Sequence, residues 1–297
     1  MLYNRFMQFA DTFENKNETS FVTVTIQWSE IDKSKEETLL KIQKDFESEG
    51  FRKGKVPVKV VREKVGESKL LEEASRHFLS DVYSQIIKKY NLHPVIDPAI
   101  RVKQAEAKKD WIVIFEIAHA PAIKTMPDVK KIVADIHAQA KKETIWVPGK
   151  DEKEKPTEKP EEKKEEQLQK IMDALVNKAE ITIAPGIMEQ EVNRRMASLL
   201  DEVKKLGMNL DQYMQAKGET TDSMRKKAEK EIVEVYTVEL LLQQIAENEK
   251  ITIDDKELEA IFSRMKTDKE REEAKKNAYF YASLMRKQKT LDYLSSL

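Results

Sequence analysis

Residues 49–60 read "EGFRKGKVPVKV": Phe51, Arg52 and Lys53 stand between Gly50 and Gly54, a third cation follows at Lys55, and Pro57 closes the group. Glycine accepts φ > 0 at no steric cost, so two of them four residues apart let "FRKGK" close as a tight protruding tip. Proline lacks an N–H and suits the first turn of a helix. The stretch therefore reads as a loop between two helices, and the elements on either side decide what fold carries it.

Upstream, "FVTVTIQW" (21–28) sets Val22, Val24, Ile26 and Trp28 against Thr23, Thr25 and Gln27, the period-2 pattern of a half-buried strand. From Ile31 the period lengthens, with Leu39, Ile42 and Phe46 at helical spacing, and Gly50 reads as the C-cap of that helix. Downstream, Leu70, Leu71, Ala74, Phe78, Val82 and Ile86 mark the buried stripe of a longer helix that stops at "NLHPVIDP". Strand patterning returns in "AIRVKQA" and "DWIVIFEIA", with Lys108-Lys109-Asp110 as the turn between them. The predicted fold class here is α+β: about three antiparallel strands under two or three helices, over residues 1–127.

After Pro127 helical periodicity runs to about Lys142, and then "VPGKDEKEKPTEKPEEKKEE" (147–166) offers almost nothing apolar. Such a segment cannot offset its ordering entropy by burial, and 128–165 is expected to be a helical segment followed by a solvated tether. From Glu166 to Leu297 the pattern is helical throughout: Leu168, Ile171, Met172 and Leu175 share one face, as do Val192, Met196, Leu199 and Val203. Two stretches, 177–196 and 247–265, repeat one design in which a helix ends, passes through an extended Ile-Thr-Ile and restarts at a Pro or Asp cap. The expectation is an elongated all-α domain with helical arms over 166–297.

A chain of 297 residues with 53 Lys+Arg against 54 Asp+Glu has no global field toward nucleic acid or anionic membrane, so any basic site is local. With no cysteine, disulfides, thiolate metal sites and cysteine nucleophiles are excluded. No leader-like N-terminus and no apolar run of about 18 residues occur, which implies a cytoplasmic protein without a membrane partner and makes the sequon at Asn17 incidental. His77, His93, His119 and His137 lack metal-ligand spacing, and neither a phosphate-cradling glycine loop nor a nucleophile elbow is present. No catalytic residue, metal or cofactor is expected.

Methionine is flexible and polarisable, and surfaces that accept many apolar partners use it heavily. Met188, Met196, Met208, Met214, Met224, Met265 and Met285 fall in the helical part, and with Leu199 they are the candidates for an apolar holding surface. The loop admits two readings on its residues alone. Either Phe51 is an exposed anchor beside cations suited to phosphate or carboxylate, or the ring tucks into its own domain and the charges face water.

"GFRKGKVP", Gly50 through Pro57, resembles the signature loop of the trigger factor family, bacterial chaperones that sit at the ribosomal tunnel exit. The similarity extends through "LGMNLDQYMQAKGETTDSMRKKAEKE", "LLLQQIAENEKITIDDKELE" and "KTLDYLSSL", about four fifths of the chain. The resemblance implies that Gly50, Phe51, Arg52, Lys53, Gly54, Lys55 and Pro57 form a ribosome-binding loop docking on a tunnel-exit ribosomal protein and adjacent rRNA. It implies helical arms that hold nascent, unfolded polypeptides without ATP, and at most a weak homodimer off the ribosome. Family members usually carry an FKBP-like prolyl isomerase domain between the two parts, and here only the charged tether stands in that place. Isomerase activity is therefore expected to be absent. Two alternatives stay open: an isomerase retained in divergent form, and an exported chaperone with similar arms.

Overall fold

The computed structural model describes residues 7–143 and 160–297. The chain divides into two compact units, one of Met1–Ala120 with Ile183–Gln190, the other of Pro121–Thr182 with Glu191–Leu297.

In the first unit, β1 (Phe9–Lys16) and β2 (Thr19–Ile26) form a hairpin, followed by α1 (Trp28–Asp45), α2 (Val58–Val65), α3 (Glu67–Tyr90), β3 (Ala99–Gln104) and β4 (Trp111–Ala118). The sheet is antiparallel with strand order β1-β2-β4-β3. Register pairs Val22 with Phe115, Val24 with Val113 and Ile26 with Trp111, so one face of the central strands is apolar apart from the buried Ser20 opposite Ile117. The α3 stripe covers that face, burying Phe78, Val82 and Ile86 together with those strand residues, and Phe78 meets the Trp111 ring edge-on at 5.5 Å. Burying each such side chain stabilises the unit by roughly 1.5–3 kcal/mol. A second, smaller cluster of Leu39, Val56, Val61 and Leu70 joins α1, α2 and the start of α3, with Ile42 and Phe46 packed against it.

Three details depart from the sequence-based expectation. The sheet has a fourth strand, β1, whose alternation is hidden because Asp11 occupies an inner-face position opposite Val24, where an apolar residue is the rule. Asp11 is tolerated there because Lys89 and Tyr90 donate to its carboxylate at 2.6 and 2.8 Å, while Phe13 stacks on Tyr90 at 4.5 Å. Trp28 opens α1 instead of closing β2, its N–H donating to the Asp110 carboxylate at 2.9 Å. Finally, α1 ends at Asp45 and not at Gly50: Phe46 turns extended (φ −72°, ψ 131°) to reach the smaller core cluster.

The second unit contains β5 (Ala122–Thr125), α4 (Val129–Glu143), α5 (Pro160–Lys178), β6 (Glu180–Thr182), α6 (Pro185–Lys205, whose first residues belong to the first unit), α7 (Leu210–Lys217), α8 (Thr221–Asn248), α9 (Asp255–Phe262), α10 (Asp268–Lys276) and α11 (Ala278–Ser296). Its core is a helical cluster in which Ile132 and Val133 of α4, Ile171 and Leu175 of α5, Leu241, Leu242 and Ile245 of α8 and Leu294 of α11 are buried together. This unit is mostly helical, the exception being an antiparallel ribbon in which Ile181 of the first Ile-Thr-Ile pairs with Ile123. The second such stretch leads into α9, where Asp254 accepts from the Glu257 N–H at 2.8 Å as a capping box. The α5 helix starts at Pro160, six residues before the apolar periodicity begins at 166, with proline at its first position. The rest of the charged segment expected to be a tether, 147–159, lies outside the described residues, as do residues 144–146.

Candidate functional site

The loop after α1 is built from two successive four-residue turns. Phe51 N–H donates to Ser48 C=O at 3.0 Å with Gly50 at the third position (φ +79°), and Lys55 N–H donates to Arg52 C=O at 2.9 Å with Gly54 at the third position (φ +71°). A positive φ at that position alone is the mark of a type II turn and explains why glycine recurs there. Phe51 and Arg52 join the two turns.

Several contacts bind this double turn to the end of α1. Gly54 N–H donates to Phe46 C=O at 3.1 Å, and the Gln43 side-chain amide donates to Val56 C=O at 2.7 Å. Lys64 of α2 donates to Ser48 Oγ at 2.7 Å. Lys53 lies 3.5 Å from Asp45, an exposed pair of little energetic weight. Phe51 is 46% exposed, so its ring is not sealed inside its own unit. Arg52, Lys53 and Lys55 are exposed, and Arg52 and Lys55 have no ion-pair partner among the described residues. An apolar ring with unneutralised cations on a backbone held at both stems is a surface suited to a partner that offers an apolar pocket beside anionic groups.

Elsewhere in the first unit, an ionic cluster ties α1, α2 and α3 together. Lys35 lies 3.0 Å from both Asp32 and Glu67, and Arg62 bridges Glu36 and Glu67. Hydrogen bonds from Lys35 and Arg62 hold the Glu67 carboxyl below its ordinary value. Burial works against the Lys35 charge, yet its bonds to Asp32 and Glu67 outweigh that and raise its pKa.

In the second unit, the candidate holding residues divide. Met196 and Leu199 of α6 and Met224 of α8 meet Tyr213 of α7 around a crevice of about 200 Å³, rimmed by Arg195, Lys217 and Lys227. Asn209 and Thr220 cap α7 and α8 with reciprocal capping boxes, and Arg225 donates to Asn193 at 3.1 Å across α6 and α8. Met224 itself is only 6% exposed and is buried together with Ala228, one turn on, so it contributes far less surface to this crevice than Met196 and Leu199. Met208, Met214, Met265 and Met285 are half-buried at separate places, and Met188 falls in the first unit.

Among the described residues, the most exposed large apolar side chains of the second unit are others: Tyr279 at 90%, Leu206 at 66%, Phe280 at 64%, Val235 at 63% and Leu284 at 56%. The signal for the α11 group was present in "AYFYASLM", where apolar residues occupy every face of the helix and no single face can bury them all. Tyr279 also borders a groove of about 580 Å³ between α8, the 252–253 segment and α11, floored by Leu242, Ala246, Ile253 and Ala282.

The four histidines occupy separate places. His77 lies on α3 beside Glu73, His93 follows α3, His119 follows β4 with Ser20 Oγ 2.7 Å from its Nε2, and His137 lies on α4. Among the described residues no helix is long and apolar enough to cross a membrane.

With this geometry in view, comparison with known proteins is specific. Family models described as bacterial trigger factor protein and bacterial trigger factor protein C-terminus match residues 9–146 and 152–294. Only residues 147–151 separate the two matches, so the isomerase domain usual between them is missing from this chain. Curated trigger factors of Streptococcus mutans serotype c and Streptococcus pyogenes serotype M5 are each 32% identical over 147 residues, which is 49% of this chain and 34% of theirs. The chain thus spans about a third of the length of the curated relatives it matches. A solved structure reported under "Promiscuous Substrate Recognition in Folding and Assembly Activities of the Trigger Factor Chaperone" superposes with a TM-score of 0.63 at 15% identity, covering 98% of this chain and 99% of that one. That last likeness is one of fold.

Proposed function

Since the chain belongs to the trigger factor family, whose two domain models together span residues 9–146 and 152–294, we propose that it is an ATP-independent chaperone that docks on the ribosome and holds nascent polypeptides. The observation that carries the docking half is Phe51, an exposed aromatic ring joined to Arg52 between two glycine turns that are fastened to α1. In this reading Phe51 enters an apolar pocket of a tunnel-exit ribosomal protein, and Arg52, Lys53 and Lys55 meet carboxylates or rRNA phosphates. Gly50, Gly54 and Pro57 shape the loop and contribute no side-chain contact of their own.

The holding half is supported by the large exposed apolar side chains of the helical unit and by its half-buried methionines. Many small apolar contacts, each weak, give affinity without sequence specificity and allow release without nucleotide hydrolysis. The chain works in this reading without prolyl isomerase activity, because the segment between its two family-matched parts is too short to enclose a prolyl bond.

Ribosome co-sedimentation of the wild type against the triple variant Phe51→Ala, Arg52→Ala, Lys53→Ala tests docking: the wild type pellets and the variant stays in the supernatant. A proline-limited refolding assay run alongside should show no acceleration by the purified chain. Measurable catalysis there would replace the second part of this reading with an isomerase.

A further inference from the structure

We infer that Gln43, on the last turn of α1, is a positioning residue for the docking loop: its side-chain amide holds the loop's returning stem and thereby sets where Phe51 and Arg52 stand. The inference rests on the docking reading above and adds to it a residue outside the loop.

Val56 is 0% exposed as a whole residue, so its backbone carbonyl is shut away from water and needs a protein donor. The helix that follows does not supply one. Within the first turn of α2 the amides of Val60 and Val61 donate to Pro57 C=O and not to Val56, and Pro57 has no N–H to place near it. The donor is the side chain of Gln43, whose Nε2 lies 2.7 Å from Val56 O, thirteen residues back along the chain.

This bond closes the loop as a ring. The outgoing strand leaves α1 at Phe46, both turns follow, and Val56 brings the chain back to the helix it left. Gly54 N–H to Phe46 C=O fastens the middle of that ring, and Gln43 to Val56 fastens its far end. Without the amide the buried carbonyl has to find water, which it can do only if the stem lifts from α1. Lifting the stem carries the second turn, and with it Arg52 and Lys53, away from the geometry in which a partner would meet them. Gln43 is half-buried and acts on the loop through Val56.

The test uses the full chain and empty 70S ribosomes. Gln43→Met keeps length, helix propensity and neutrality while removing the donor, so no charge is introduced toward rRNA. The expected result is binding weakened about tenfold, the equivalent of one hydrogen bond, with hydrogen exchange accelerated in peptides covering 46–58 and unchanged in those from α3 and β4. Ile86→Val, a buried change on α3 of similar cost to stability, should leave both binding and loop exchange at wild-type levels. Wild-type affinity of Gln43→Met, while the Phe51/Arg52/Lys53 triple alanine variant fails to bind, would overturn the inference and leave docking intact. Exchange accelerated throughout the first unit would also overturn it, because Gln43 would then serve the fold generally. Equal binding of the triple variant and the wild type removes the docking reading and this inference together.

Discussion

Gly54 lies against the end of α1 so closely that a Cβ on it would stand 2.6 Å from the carbonyl oxygen of Lys44, whereas a Cβ on Gly50 would meet nothing within 4 Å. The two glycines share a positive φ but not a surrounding. Gly50→Ala should cost about 1 kcal/mol, the strain of a left-handed alanine. Gly54→Ala adds a clash with backbone that cannot move aside and should cost about 2–4 kcal/mol. Urea unfolding midpoints of the two variants, compared with wild type, measure the difference.

The exposed α11 group is predicted to serve holding and not folding. Tyr279→Ser, Phe280→Ser and Leu284→Ser combined should shift the melting temperature little, since these side chains are among the most exposed in the chain. The same variant should suppress aggregation of a denatured client several-fold less well than wild type at equal concentration. Light scattering after dilution of the client from denaturant reads this directly.

Met224 should behave in the opposite way. Its side chain is buried inside the α6–α8 hairpin, so Met224→Ala is expected to lower stability by about 2–3 kcal/mol and to leave client holding per folded molecule unchanged. A denaturant titration and the aggregation assay, run on the same preparation, separate the two effects.

The ionic cluster that joins α1, α2 and α3 sets a pH dependence of definite sign. Glu67 has its pKa held below the ordinary 4.5 by bonds from Lys35 and Arg62, so its contribution is present above that pH and fades as pH falls through the lowered value. Lys35 has its pKa raised above 10.5, so its contribution is present below that pH and is lost as pH rises through the raised value. Glu67→Gln should therefore flatten the acid limb of a plot of melting temperature against pH, leaving the neutral plateau lower.

How much of this was legible before the structure varied with how local the cause was. The α3 stripe from Leu70 to Ile86 is buried as its spacing predicts, because a long amphipathic helix carries its burial in its own period. The Ile-Thr-Ile before α6 is likewise extended as read, though its strand partner, Ala122–Thr125, lies too far along the chain for any local pattern to show. β1 escaped notice since its inner face is completed by Asp11, whose tolerance depends on Lys89 and Tyr90 nearly eighty residues away. The loop's glycines declared its turns, but the exposure of Phe51 and the bond from Gln43 are tertiary facts. Methionine content marked the helical unit as adaptable without distinguishing Met224, inside, from its half-buried neighbours. The exposure of Phe280 is likewise decided by packing and not by helical periodicity.

Contact between the Phe51 loop and the ribosome is open to photo-cross-linking from an unnatural amino acid placed at position 51. On irradiation with ribosomes bearing a short nascent chain, cross-links are expected to a ribosomal protein or rRNA at the tunnel exit, abolished by Arg52→Ala with Lys53→Ala in high salt. Cross-links from position 51 only to the chain itself, or none that sediment with ribosomes, would contradict it.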